Sequence, residues 1–260
     1  MDFLMYLLLG ACSGVLAGLF GIGGGLVIVP VLVFSFTAQG VAHDVLTHLA
    51  VGTSLAAILF TSINSVLAHH KQQAVLWPKV TWLGTGILFG SAFGGVTAAY
   101  IPGDYLQKII GVFAVLMSLQ MFSGWRPAGQ ASSLSKPVMT ISGGVIGWAS
   151  AIFGIGGGSL MVPFLTWKGV DIKKAVATSA ACGLPIAFSG ALSFMYMGWQ
   201  KATLPQYSMG FVYLPALFGI ALTSFFFARL GAKLAHQLPP VMLKRLFALL
   251  LALVGANFLL

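Results

Sequence analysis

Two copies of one glycine-rich motif contain the residues best suited to chemistry in this 260-residue chain. Both read Phe-Gly-Ile-Gly-Gly-Gly; the first spans 20–25 and is followed by Pro30, and the second spans 153–158 and is followed by Pro163. Glycine disfavours a helix interior and lets backbone N–H groups approach a ligand closely. N–H groups at the start of the next helix favour an anion. We therefore interpret both breaks as parts of an anion site, formed by Gly21, Gly23, Gly24, Gly25, Gly154, Gly156, Gly157 and Gly158.

Close helix packing is the alternative explanation for glycine in apolar segments. Small residues at four-residue spacing also dominate helix interfaces in membranes. This explanation suits the isolated glycines better than the two motifs, because three consecutive glycines exceed what packing needs. The glycines that we assign to packing are Gly10, Gly14, Gly18, Gly90, Gly94, Gly143 and Gly147.

Hydroxyl and amide side chains recur at matching places after the two motifs. Thr53–Ser54 corresponds to Thr178–Ser179, and Asn64 and Ser189 each stand eleven residues after the threonine of their own half. Hydroxyls beside a helix N-terminus can donate hydrogen bonds to an oxyanion, so all six residues are candidates for the substrate site. The alternatives are hydroxyls that bond to carbonyls of their own helix, and polar groups that only join helices.

A basic residue stands five positions before each threonine. His48 precedes Thr53, and Lys173 precedes Thr178. These two side chains are candidates for attracting an anion to the mouth of the site, and His48 for carrying a proton. The alternative is that both lie at the membrane interface without a role in transport.

The composition excludes a soluble globular domain. Of the residues, 58% are hydrophobic and 7% charged, against about 25% charged in a typical soluble domain, and the mean hydropathy is +0.99. Apolar runs of membrane-spanning length predict an all-α polytopic membrane protein. The net charge is +9, and no carboxylate lies near the middle of an apolar run, so an anion is favoured over a cation as cargo. The four acidic residues are Asp2, Asp44, Asp104 and Asp171.

An enzyme is not expected. The sequence offers no credible Ser/His/Asp, Cys/His or paired-carboxylate arrangement, and the phosphate-loop pattern Gly-x-x-x-x-Gly-Lys-Ser/Thr is absent. Cys12 and Cys182 lie in apolar runs and are expected to remain free. We expect no cofactor, no metal and no nucleic acid. The expected partners are a small anionic substrate and membrane lipid, and a monomer and a homodimer both remain open.

The chain is an internal duplication. Residues 1–123 form the first repeat, 124–136 a polar linker and 137–260 the second repeat. Each repeat is predicted to contain a glycine-broken first helix or hairpin followed by three membrane helices. Whether 3–36 and 137–167 cross the membrane once or re-enter is open from length alone.

The distribution of Lys and Arg favours inverted repeats. A single crossing by 3–36 would make the repeats parallel and divide these residues eight to five between the two faces. A return to the starting side would make the repeats inverted and leave only Lys108 and Lys201 on the outer face, as the positive-inside rule expects. The inner face would then hold eleven residues, and both termini would lie outside a bacterial plasma (inner) membrane. The eleven are Lys71, Lys79, Arg126, Lys136, Lys168, Lys173, Lys174, Arg229, Lys233, Lys244 and Arg245.

The paired motifs resemble the sulfite exporter TauE/SafE family of permeases. The likeness rests on Phe-Gly-Ile-Gly-Gly-Gly-x-x-x-x-Pro in both halves and on the segment from His48 to Leu55, and it spans the whole chain. It implies a transporter of sulfur-containing anions with Gly21–Gly25, Thr53–Ser54 and their second-half equivalents at the transport site. The second half departs from the first in having Lys173 at the position of His48 and Ala180 at that of Leu55.

The sequence thus predicts a secondary transporter. It would move a small sulfur oxyanion, such as sulfite or an organosulfonate, by alternating access between the two repeats. The alternatives left open are an anion channel, a carrier for a small carboxylate or a neutral molecule, and a membrane scaffold.

Overall fold

The computed structural model describes residues 2–20, 25–123, 135–237 and 240–259, which are almost entirely helical. The first half contains α1 (Asp2–Phe20), α2 (Gly25–Ala38), α3 (His43–Lys71), α4 (Trp77–Tyr100) and α5 (Gly103–Ser123). The second half contains α6 (Lys136–Phe153), α7 (Gly158–Trp167), α8 (Ile172–Gly198), the two-residue strands β1 (Ser208–Met209) and β2 (Val212–Tyr213), α9 (Leu214–Gln237) and α10 (Pro240–Leu259). The predicted all-α class is confirmed. Most of the predicted linker, 124–134, lies outside the described residues.

Several helices are long and apolar enough to cross a membrane. Within the described ranges α3, α4, α5 and α8 meet both criteria, with 29, 24, 21 and 27 residues, where about 20 suffice for the hydrocarbon core. Large apolar side chains cover the outside of the bundle: Phe89, Tyr100 and Tyr196 are each more than three-quarters exposed. Such a surface suits lipid rather than water.

Glycines let helices of opposite halves pack with their backbones in contact. A Cβ on Gly10 or Gly14 of α1 would lie 2.7 or 2.6 Å from a Cα atom of α9, and one on Gly143 or Gly147 of α6 would lie 3.0 or 2.9 Å from a Cα atom of α4. The partner residues are Ile220, Ser224, Leu83 and Ile87, respectively. The packing role predicted for these four glycines is therefore confirmed, as it is for Gly90 and Gly94, whose added Cβ atoms would meet the α6 backbone. The surroundings of Gly18 lie outside the described part of the chain.

Side-chain contacts fix the relative directions of the packed helices. In the α4/α6 pair, Thr140 Oγ1 donates to Trp82 O at 3.2 Å, and farther along both helices Trp148 Nε1 donates to Thr97 Oγ1 at 3.3 Å. Residue numbers therefore increase in the same direction along both helices, so α4 and α6 run parallel. In the same way, Gly10 faces Ile220 and Gly14 faces Ser224, so α1 and α9 also run parallel.

The other two pairs between halves run antiparallel. Between α3 and α8, Gly183 faces Ser62 while Gly52, at the other end, faces Phe194. Between α5 and α10, Gly111 faces Phe258, whereas the later Ser118 donates from Oγ to Ala248 O at 2.7 Å. The four pairs bring every long helix of one half against a helix of the other.

One part of the bundle has no equivalent in the other half. The connection from α8 to α9 carries the β1–β2 hairpin, in which Ser208 pairs with Tyr213 and Met209 with Val212. The connection from α3 to α4 spans only 72–76. Phe211 at the turn of the hairpin is 2% exposed, and its N–H donates to Phe194 O at 3.2 Å. The hairpin therefore covers the end of the bundle where α3 begins and α8 ends.

Candidate functional site

The second glycine motif breaks the helix as predicted. Helix α6 ends at Phe153, and Gly154 takes the left-handed conformation with φ +65°, which glycine adopts without a steric penalty. The N–H of Gly154 donates to Ala151 O at 3.2 Å, and that of Ile155 to Ser150 O at 3.0 Å. Residues 154–157 are all buried. The chain therefore crosses the protein interior at this break without regular helical hydrogen bonds.

The start of α2 lies directly against this second break. Ser54 Oγ donates to Gly154 O at 2.8 Å, although the two residues belong to different halves. A Cβ on Gly25 would lie 2.6 Å from that same oxygen and 2.7 Å from Ile155 Cα. The structure therefore brings Gly25 and Ser54 of the first predicted site group to the glycines of the second. Gly21, Gly23 and Gly24 lie outside the described residues.

Beyond the break, the N-terminus of α7 presents free donors. Gly157 is the N-cap residue, and its carbonyl accepts from the N–H of Met161 at 2.7 Å. The N–H groups of the first turn, 158–160, precede the first intrahelical donor and have no partner within the helix. They carry the positive end of the helix dipole.

Two buried hydroxyls accompany this helix terminus without a hydrogen-bond partner. Ser159 lies in the first turn of α7 and is 4% exposed, and Ser179 on α8 is 1% exposed. Within the described residues neither Oγ atom has a hydrogen bond. Ser179 Oγ lies 3.6 Å from the position of a Cβ on Gly157. Since buried polar groups are normally satisfied, this pair indicates a site for a polar ligand.

Ser62 and Gly183 also lie near this break, and neither was predicted from the sequence. A Cβ on Gly183 would lie 3.1 Å from Ser62 Oγ and 4.0 Å from the backbone nitrogen of Gly157. Gly183 therefore leaves room between α8, α3 and the break. A signal was present in the sequence, because Gly183 follows Ser179 by one helical turn and therefore shares its face of α8.

Thr53 and Thr178 have matching structural contacts. Thr53 Oγ1 accepts from the N–H of Tyr213, immediately before α9, at 2.9 Å. Thr178 Oγ1 accepts from the N–H of Leu76, immediately before α4, at 3.1 Å. Each threonine thus holds the start of a helix in the opposite half. The hydroxyl proton of each is not used in these bonds.

Ser189 joins helices. Its Oγ lies 3.1 Å from Pro185 O and within hydrogen-bonding reach of Ser91 Oγ on α4. These contacts fit the alternative that was open for this position, a polar link between α8 and α4. The side chain of Asn64 lies outside the described part of the chain.

His48 and Lys173 occupy very different surroundings despite their matching positions. His48 is 3% exposed; its Nε2 lies 3.0 Å from both Ala98 O and Ile101 O, and its ring stacks on Phe211 at 5.0 Å between centroids. The Lys173 side chain is exposed, and its backbone N–H donates to the N-cap carboxylate of Asp171 at 3.0 Å. His48 therefore fastens α3 to the end of α4, whereas Lys173 lies at the surface.

The arrangement at the second break can bind an acceptor-rich ligand. The first turn of α7 and the hydroxyls of Ser159 and Ser179 supply hydrogen-bond donors beside this break. No Lys, Arg, Asp or Glu occurs in 45–68, 137–167 or 175–200, the segments of α3, α6, α7 and α8 that contribute to it. Across the described residues, no group of three or more His, Cys, Asp or Glu side chains could hold a metal ion. Hydrogen-bond donors in a buried site suit the oxygens of a small anion.

Comparison with known proteins gives one consistent result. The family model described as sulfite exporter TauE/SafE matches residues 6–258. A protein of Haemophilus influenzae named "Probable membrane transporter protein" is 41% identical over 255 residues, which is 98% of this chain and 97% of that protein. Proteins given the same description in Methanocaldococcus jannaschii and Bacillus subtilis are 29% and 28% identical and cover 98% and 99% of this chain and 95% and 97% of their own lengths. No solved structure matches.

Proposed function

The chain belongs to the sulfite exporter TauE/SafE family and is an integral membrane transporter, and on that premise we propose that it is a secondary carrier for a small sulfur oxyanion such as sulfite or an organosulfonate. The observation that carries the proposal is the second glycine break. There, the first turn of α7 offers hydrogen-bond donors, and the buried hydroxyls of Ser159 and Ser179 have no partner among the described residues. Such donors can replace the hydration of a sulfonate or sulfite group.

The proposed substrate-binding residues occupy equivalent positions in the two halves. They comprise the two glycine motifs, the Thr-Ser pairs and the two polar residues three turns farther along α3 and α8. Ser54, Gly25 and Gly154 lie in contact, which supports a single site between the halves. His48 and Lys173 remain candidates for anion attraction or proton coupling, with His48 buried and Lys173 exposed.

Inverted repeats form the second part of the proposal. The support comes from the helix directions: α4 runs parallel to α6 and α1 to α9, whereas α3 opposes α8 and α5 opposes α10. If α3, α4 and α5 alternate in direction, and α8, α9 and α10 do too, then α6, α8, α9 and α10 run opposite to α1, α3, α4 and α5, their counterparts. With the Lys and Arg asymmetry, this supports a topology in which both termini lie outside the plasma (inner) membrane. Alternating access would come from one repeat rocking against the other.

Cysteine labelling tests the topology. In a Cys12→Ser background, Gln72→Cys and Lys173→Cys place thiols at two exposed positions that lie on the same face in inverted repeats and on opposite faces in parallel repeats. Thr203→Cys marks the other end of α8. We expect an impermeant maleimide added outside intact cells to label Thr203→Cys alone. External labelling of one of the first two thiols but not the other would contradict the inverted arrangement.

Calorimetric titration of the detergent-purified protein tests the substrate. The panel is sulfite, sulfate, thiosulfate, sulfoacetate, taurine, acetate and chloride. We expect saturable binding of a sulfur anion that is lost in Gly24→Val and Gly157→Val, because a Cβ on Gly157 would already lie 3.2 Å from Ile186 Cδ1 and 3.3 Å from Ser179 O. Binding of acetate alone, or of no anion, would contradict the substrate class.

Uptake into proteoliposomes separates a carrier from a channel. A carrier coupled to a gradient accumulates the anion above its external concentration, whereas a channel only equilibrates it. We expect accumulation. Equilibration at rates beyond those of a binding cycle would support the anion channel instead.

A further inference from the structure

We propose that the substrate site is asymmetric and takes an oxyanion with a single negative charge. The site is built at the second glycine break by Gly157, Ser159, Ser179 and Ser62 around Gly183. The inference rests on the proposed function, because it assumes that the cargo is a sulfur oxyanion. It goes further by locating the site at one break and by naming the charge of the substrate.

Buried hydroxyls lie beside the second break. Ser159 and Ser179 are 96% or more buried, and neither Oγ atom has a partner within the described residues. Ser179 Oγ lies 3.6 Å from the Cβ position of Gly157, and Ser62 Oγ lies 3.1 Å from that of Gly183. A buried hydroxyl without a partner costs about 1–3 kcal/mol. A ligand that accepts from these hydroxyls and from the first turn of α7 removes that cost.

The matching positions around the first break are apolar or already engaged. Alignment of Phe20 with Phe153 and of Thr53 with Thr178 places Leu26 at the position of Ser159, Ile58 at that of Gly183 and Ala187 at that of Ser62. All three apolar side chains are buried, at 6%, 0% and 0% exposure.

The described neighbours of the first break are also in contact with other groups. The counterpart of Ser179 is Ser54, whose hydroxyl already donates to Gly154 O. Ile58 Cδ1 lies 2.8 Å from the Cβ position of Gly25. Leu26 packs in an apolar cluster with Ile155 and Leu251. Of the described counterparts of the second-break residues, none therefore offers a free hydroxyl.

The charge of the ligand is inferred from three segments at the second break that contain no cation. Segments 45–68, 137–167 and 175–200 contain no Lys or Arg, and the Lys173 side chain is exposed. Because the cost of transferring an ion from water rises with the square of its charge, a dianion costs about four times as much as a monoanion of the same size. Neutral donors suffice for a sulfonate or hydrogensulfite and favour it over a dianion.

The experiment is a calorimetric titration of the full chain in detergent with methanesulfonate and with sulfate, which differ mainly by a methyl group in place of a charged oxygen. The variants are Ser159→Ala, Ser179→Ala and Gly183→Ala. Gly183→Ala removes no hydrogen bond and only fills the space. The matched control is Ser118→Ala, a buried serine whose hydroxyl donates to Ala248 O between α5 and α10. Size-exclusion profiles establish that each variant is folded.

We expect the wild type to bind methanesulfonate at least about tenfold more tightly than sulfate. Each serine variant should weaken methanesulfonate binding by about tenfold, the equivalent of one hydrogen bond to a charged group. Gly183→Ala should weaken it as well, and Ser118→Ala should leave it unchanged. Even if one serine variant fails to fold, the other serine and Gly183→Ala test the location.

Two kinds of result would overturn parts of the inference and leave the proposed function standing. Methanesulfonate binding that survives all three variants but is lost in Gly24→Val places the site at the first break. Sulfate binding as tight as that of methanesulfonate, or binding of the dianions sulfate or thiosulfate when methanesulfonate does not bind, contradicts the single-charge assignment. A wild type that binds no sulfur anion contradicts the proposed function itself, and this inference with it.

Discussion

The second glycine break and the described neighbours of the first share one sequence pattern but differ in chemistry. Around the second, Ser159 and Ser179 keep free hydroxyls beside the start of α7. At the equivalent places of the first, Leu26 is packed among apolar side chains and Ser54 is bonded to Gly154. The motif is therefore a common backbone device, and the side chains around it decide whether it can hold a polar ligand.

The groups that remained equivalent make matched contacts between the halves. Thr53 and Thr178 accept from the backbone just before α9 and α4, respectively, and the glycines of α1 and α6 bring those helices onto their partners in the same way. In a duplicated chain, matched contacts between the halves preserve the scaffold. Differences between the halves are then the first place to look for the ligand.

The largest expected effect comes from Gly154→Ala. The residue has φ +65°, and a Cβ there would lie 2.7 Å from Val29 Cγ2 and 3.2 Å from Val51 Cα. Backbone strain and overpacking together should cost about 2–5 kcal/mol of stability. Heating followed by size-exclusion chromatography should show a much lower temperature of aggregation. Gly144→Ala is the control, because its nearest neighbour, Gly86 O, would lie 3.6 Å away. Equal behaviour of the two variants would contradict the geometry of the break.

His48→Ala should have the next largest effect. Its removal leaves the carbonyls of Ala98 and Ile101 without the Nε2 donor and opens a cavity beside Phe211. We expect a loss of about 2–4 kcal/mol, measured by the same heating assay. Lys173→Ala changes the matching residue of the second half and should alter stability by less than about 0.5 kcal/mol, because the side chain is exposed. A larger loss for Lys173→Ala would show that the two positions are not as different as their burial implies.

The smallest loss of stability is expected for Thr53→Val and Thr178→Val, and the two losses should be equal. Each replacement keeps the shape of the side chain and removes one acceptor from a backbone N–H, that of Tyr213 or of Leu76. Each should lower stability by about 1–2 kcal/mol, and Ser at either position should restore most of it. Loss of methanesulfonate binding without loss of stability would instead show that these hydroxyls contact the substrate.

The sequence was sufficient for the features that depend on local composition. The helical membrane class follows from the apolar runs, the break at Gly154 from consecutive glycines, and the packing of Gly10, Gly14, Gly143 and Gly147 from their four-residue spacing. Each of these depends on the intrinsic behaviour of a residue type within its own helix.

The sequence was insufficient where distant segments meet. That Ser54 contacts Gly154, or that Ser62 faces Gly183, depends on how α3 packs against the other half. The same is true of His48, which the pattern alone equates with Lys173 but which the end of α4 and the α8–α9 hairpin bury. A repeat tells which positions correspond, and tertiary packing decides what surrounds each of them.

The position of a bound anion tests the asymmetric site most directly. Crystals grown with bromomethanesulfonate would show the bromine by anomalous scattering, without dependence on how the surrounding residues are placed. The account predicts one peak per chain, beside Gly157 and Ser179 at the start of α7. A peak among Gly21–Gly25, or equal peaks at both breaks, would contradict it.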